Sequence, residues 1–126
     1  MAANQQAGVP PQVQQQLSMF QQIQQQLQQV SSQKMQYEMT LRETKRALEE
    51  LGAAAEDAVV FSSAGSILIQ KKKDAVSAEL QEKIDSLELR VGSLEKQEKT
   101  MAAKAGQLQK QIQSAVSGAG SVPTAE

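Results

Sequence analysis

Ten of the seventeen residues from Gln14 to Val30 are glutamine, and none is charged. Set among them at helical spacing are Leu17, Met19, Phe20 and Ile23. Side chains of this kind offer one sort of chemistry: they gain burial free energy, about 25 cal/mol per Å², against any partner that exposes apolar surface of its own. Glutamine adds helix propensity and hydrogen bonds without attracting or repelling by charge, and methionine adapts its shape. Covalent chemistry has few candidates. The 126 residues include no cysteine and no histidine, which removes thiol nucleophiles, disulfides, the commonest metal ligands and the commonest acid-base catalyst. No phosphate-binding loop is seen. The chain reads as a non-enzyme with no catalytic residue, metal site or cofactor.

The elements that must hold these side chains follow from a seven-residue repeat. From Val13 to Leu51 one seam position reads Val13, Phe20, Leu27, Lys34, Leu41, Leu48, and the other Gln16, Ile23, Val30, Tyr37, Thr44, Leu51. From Asp74 onward a second repeat places Leu80, Leu87, Leu94, Met101, Leu108, Ala115 at one position and Ser77, Ile84, Val91, Glu98, Ala105, Ile112 at the other. Patterns sustained over more than five heptads argue for a coiled coil. Each helix covers about forty residues, roughly 60 Å, and equal lengths across a short connection favour antiparallel folding. Pairing residues whose numbers sum to 128 gives every seam residue an opposite and puts Lys34 and Glu98 within one layer; they either pair there or reach separately to water. Gly92 and Gly106 each follow a seam residue and point outward, softening the second helix. Pro10 and Pro11 mark the start of the first helix, and Gly52 stands where a C-terminal cap belongs.

The chain therefore divides into a disordered N-terminal segment (1–10), a first helix (11–51), a connecting segment (52–72), a second helix (73–116) and a disordered tail (117–126). Within the connection, Val59-Val60-Phe61 and Ile67-Leu68-Ile69 flank Ser63-Ala64-Gly65-Ser66, a β-hairpin signal. Its runs are apolar on consecutive residues, so both faces need cover, while an isolated hairpin is marginal in water. A two-helix seam has no broad surface to supply that cover. Assembly with other subunits through Val59, Val60, Phe61, Ile67, Leu68 and Ile69 is expected.

A long helix closing on "ALEELG", one hairpin around "DAVVF" and "GSILI", and a second helix containing "LELRVGSLEKQE" resemble the archaeal prefoldin beta subunits. Phe61-Ser62 stands where that family often has tyrosine then lysine. The resemblance implies a mainly α fold in which a long antiparallel two-helix coiled coil carries one central hairpin, and the hairpin joins an intersubunit β-barrel platform. It also implies a hexamer of two alpha-type and four beta-type subunits. Alpha-type subunits carry two hairpins, and residues 52–72 have room for one. The function implied is an ATP-independent holdase that captures unfolded proteins at coiled-coil tips, prevents their aggregation and delivers them to a cytosolic group II chaperonin.

Charge placement agrees with such tips. Residues 34–100 carry 24 charges, residues 1–33 none, and residues 101–126 only Lys104, Lys110 and Glu126. On an antiparallel coil the two nearly neutral segments meet, and Val13, Leu17, Met19, Phe20, Ile23, Leu108, Ile112 and Val116 are the expected client-binding surface. The plainer alternative is that the glutamines only keep the helix soluble and the extra apolar residues are seam irregularities. A structural coiled-coil scaffold or filament subunit docking one defined partner is the alternative function. With 13 basic and 14 acidic residues the chain lacks the electrostatic footprint of a nucleic-acid binder, and the glutamine helix has no lysine or arginine to meet anionic lipid. No apolar run approaches the roughly 20 residues that span a bilayer and no signal-peptide layout is seen, so the expected location is cytoplasmic.

Overall fold

Helix α1 spans Pro11–Ala53, strand β1 Val60–Ala64, strand β2 Ile67–Lys71 and helix α2 Lys73–Ser121. The structure, a computed structural model, describes residues 10–121, with side chains through 117. Two long helices with one hairpin between them are thus the observed architecture. Residues 1–9 and 122–126, expected to be disordered, lie outside the described residues. Residues 117–121 of the expected tail instead continue α2. Glycine weakens a helix without removing a hydrogen-bond donor, and the residue that would stop it outright, Pro123, comes later.

The helix ends show local causes. The carbonyl of Pro10 accepts the amides of Val13 at 3.0 Å and Gln14 at 3.1 Å, so Pro11 fills the first helical position, where its missing N–H is no loss. At the other end Gly52 is not the expected left-handed cap. It remains helical, and Gly65 is the one glycine with positive φ among the described residues. The carbonyls left over by α1 are met by a lysine: Lys73 Nζ donates to Ala54 O at 2.7 Å and to Gly52 O at 3.4 Å. A cation at a helix C-terminus satisfies orphan acceptors and the macrodipole together, which makes the glycine cap unnecessary. Helix α2 opens with Asp74 in its first turn, the favourable sign for that end.

Contacts divide the chain into two units. A terminal unit comprises the described residues of Met1–Ser32 and Lys96–Glu126, and a hairpin unit comprises Gln33–Glu95. In each, the helices run antiparallel. Within the terminal unit Gln16 Nε2 donates to Gln111 Oε1 at 3.4 Å and Ser31 Oγ donates to Glu98, one residue to either side of the predicted register. Within the hairpin unit Arg90 donates to Tyr37 Oη at 3.0 Å while its guanidinium lies 5.5 Å from the ring centroid, and Lys45 pairs with Glu88 at 3.6 Å. All twelve predicted seam residues of each helix are buried or half-buried. Thr44 is a polar residue on this seam, and it stays buried because its hydroxyl donates to Thr40 O one turn back at 2.7 Å.

The hairpin pairs Val60 with Lys71, Phe61 with Gln70, Ser62 with Ile69, Ser63 with Leu68 and Ala64 with Ile67. Strand β1 begins at Val60, so Val59 precedes it. Gly65 and Ser66 form the two-residue turn, with φ of +63° at Gly65 alone, the pattern of a type II′ hairpin that needs glycine first.

Candidate functional site

Two sets of apolar side chains remain open to solvent where the seam cannot cover them. The first belongs to the terminal unit. Heptad geometry places a residue just after one seam position on one flank of the coil and a residue just before the other on the opposite flank. Leu17 and Val116 occupy the first flank, 40% and 56% exposed; Met19 occupies the second, 47% exposed. Phe20, Ile23, Leu108 and Ile112 are half-buried in the seam beneath them. Val13 departs from expectation: at 3% exposure it is a seam residue fully covered by its own unit, not part of an offered surface.

Met19, Ile23 and Leu108 come together in one groove of about 240 Å³ whose remaining walls are Lys104, Gln107 and Gln111. Leu17 and Val116 lie on the other flank and do not join it. The three polar walls were not singled out from sequence. Their signal was nevertheless there: Lys104 and Gln111 each precede a seam residue of α2, the flank that faces Met19 across an antiparallel pair. The packing is imperfect at Gln16, whose amide donates to Gln111 of the groove wall. Gln16 occupies a seam position, and its Oε1 is buried without a hydrogen-bond partner, a loss worth about 1–3 kcal/mol.

The second set is the hairpin. Alternation puts Phe61, Ser63, Leu68 and Gln70 on one face and Val60, Ser62, Ala64, Ile67, Ile69 and Lys71 on the other. The first face is open throughout, with Leu68 71% exposed. The second is partly covered at its base, where Glu79 of α2 takes Lys71 Nζ in an ion pair and the Ser62 hydroxyl at 3.5 Å. Toward the turn, Ile67 and Ile69 stay exposed. Of the six predicted assembly residues, Val60 alone is half-buried. Met35, Met39 and Leu89 of the hairpin unit are also exposed, at outward heptad positions where a charge or amide is usual.

Among the described residues no group of three or more acidic or otherwise metal-ligating side chains could hold an ion, and no helix is long and apolar enough to cross a membrane. What the arrangement can do is bury apolar surface at two places.

Comparison with known proteins gives a consistent picture. The family model described as "Prefoldin subunit" matches residues 14–119. The prefoldin subunit beta of Methanospirillum hungatei is 44% identical over 110 residues, covering 87% of this chain and 92% of that protein. The prefoldin subunit beta of Thermococcus kodakarensis is 44% identical over 108 residues, 86% of this chain and 92% of its own. Among solved structures, the crystal structure of the prefoldin beta subunit from Thermococcus strain KS-1 superposes with a TM-score of 0.82 at 44% identity, covering 86% of this chain and 95% of that one.

Proposed function

The chain belongs to the prefoldin subunit family, whose members are chaperone subunits and not catalysts, and from that premise we propose that it is a beta-type holdase subunit. It captures unfolded proteins on its terminal unit without ATP, keeps them from aggregating and passes them to a group II chaperonin in the cytoplasm. The observation that carries this reading is the exposure of Leu17, Met19 and Val116 in a unit whose first helix is otherwise mostly glutamine at its surface and carries no charge from Pro11 to Ser32. Exposed apolar side chains among neutral amides suit partners that share no sequence and no charge pattern, as unfolded chains do. Half-buried Phe20, Ile23, Leu108 and Ile112 extend the surface when the helices part locally, since helix pairs near chain ends open most easily.

The hairpin supplies assembly. Val59, Phe61, Ile67, Leu68 and Ile69 leave both faces and both edges needing cover, and hairpins of neighbouring subunits provide it by closing a β-barrel platform. Two alpha-type and four beta-type subunits then present several terminal units to one client, so that weak contacts add by avidity. Removing residues 1–20 tests the reading: light scattering should show full aggregation of a denatured client while mass measurement with an alpha-type subunit still gives a six-chain complex. Full protection by the truncated protein overturns it.

A further inference from the structure

We propose that the groove between Met19 and Lys104 selects, among unfolded segments, those in which a large apolar side chain stands beside an aspartate or glutamate. The inference rests on the terminal unit being the client-binding unit and names the class of segment its groove prefers. The groove's size comes first. At about 240 Å³ it falls below the roughly 300–1,000 Å³ of small-molecule sites and suits one side chain. Its floor is apolar and adaptable, made of Met19, Ile23 and Leu108. Gln107 and Gln111 on its wall can donate to and accept from the backbone groups of an extended occupant, which arrive without partners of their own.

Charge then decides which neighbour the apolar side chain should have. Lys104 is the single charged residue of the groove, and no acidic residue occurs in residues 10–33 or 101–121, so its ammonium has no ion-pair partner among the described residues. The wider field has the same sign. Lys96, Lys99, Lys104 and Lys110 face one acid, Glu98, in the described part of the terminal unit, whereas the hairpin unit holds nine basic and twelve acidic residues. An acidic side chain next to the anchored apolar one therefore meets an unanswered cation at short range in a unit that carries net positive charge. A basic neighbour meets repulsion. Exposed pairs of this kind are worth a fraction of 1 kcal/mol, which corresponds to a preference of about threefold per site and weakens with salt.

The test uses the full-length protein in complex with an alpha-type subunit. Immobilised ten-residue peptides carry one Phe flanked on both sides by Asp, by Asn or by Lys in an otherwise identical Gly-Ser background. Binding is read by biolayer interferometry at low and at physiological salt. The expected order is Asp over Asn by about threefold and Asn over Lys, the differences shrinking as salt rises. Lys104→Gln should bring the Asp series down to that variant's own Asn series, while Lys110→Gln, outside the groove, should keep the Asp preference. Equal binding of the three series, binding of none, or an Asp preference that survives Lys104→Gln overturns the inference. A parallel aggregation assay on a denatured client separates the two levels: if the unaltered complex gives no protection, the client-binding reading itself fails, and if it protects without an Asp preference, only the present inference fails.

Discussion

The terminal unit and the hairpin unit are built from the same seven-residue repeat and differ in how far they bury it. In the hairpin unit Ile84, Leu87, Val91 and Leu94 are buried along α2, and Tyr37 with Arg90 and Lys45 with Glu88 tie the helices across the seam. In the terminal unit the buried seam residues are the small ones, Val13, Val30 and Ala105, while Phe20, Ile23, Leu27, Leu108 and Ile112 stay half-buried. The contrast lies along α2: the hairpin unit buries large seam side chains there, although its Leu41, Leu48 and Leu51 on α1 are half-buried and its hairpin is exposed, whereas the terminal unit fully buries no large seam side chain. On the function proposed above, a client would compete poorly with a closed seam and better with an open one, so this difference would separate a structural unit from a binding one.

The strongest way to break this comparison is to exchange the roles of the units by truncation. Losing residues 1–20 removes Leu17, Met19 and Phe20 and should abolish protection of a denatured client, while a double charge in the hairpin, Phe61→Asp with Leu68→Asp, should leave both helices in place and prevent assembly. Light scattering and analytical ultracentrifugation read the two losses separately. If the hairpin variant assembles normally, the exposed face that holds Phe61 and Leu68 has no part in the platform.

Next in size is the cost of shortening equivalent seam leucines. Leu87→Ala should destabilise by about 3 kcal/mol, because a buried leucine leaves both a transfer loss and a cavity. Leu27→Ala, at a half-buried position, should cost about half as much, since solvent already reaches the site. Thermal melting at fixed protein concentration measures both. Equal costs would mean that the terminal seam is as closed as the other, against the contrast in burial.

Much of this was legible beforehand. Twelve seam positions in each helix follow from spacing alone, because a half-buried stripe is a periodic property of one segment. The hairpin was legible for a similar reason: consecutive β-branched residues around Gly65 specify strand, turn and strand locally. The misjudged features depend on what lies across the fold. Gly52 looked like a cap until Lys73 reached its carbonyl, and Val13 looked available although it is 3% exposed. The groove likewise needs Met19 of one helix beside Lys104 and Gln111 of the other, a juxtaposition invisible to either repeat by itself.

A gain of stability should follow from Gln16→Leu. The buried Oε1 without a partner is replaced by apolar surface in the seam, and the expected gain is about 1–2 kcal/mol, less the weak 3.4 Å bond that Gln16 makes to Gln111. If the openness of the terminal unit serves binding, the same variant should protect a denatured client less well despite melting higher. Equal protection would show that the half-buried side chains never take part and that Leu17, Met19 and Val116 suffice.

The smallest effects make the sharpest contrast between units, because one chemical change can be placed in each. Gly92 and Gly106 are both helical, and a Cβ built at either meets nothing within 4 Å, so alanine adds no clash. Each Gly→Ala substitution should therefore stabilise its own unit by about 0.5–1 kcal/mol, through the conformational freedom that alanine removes from the unfolded chain. Hydrogen exchange can assign the gain to the unit that holds the substitution. Client protection should then part them: Gly106→Ala, stiffening the helix that carries Lys104 and Leu108, should lower capture, whereas Gly92→Ala should leave it unchanged. Equal behaviour of the two variants would detach local flexibility from binding and leave the exposed surface as the sole basis of capture.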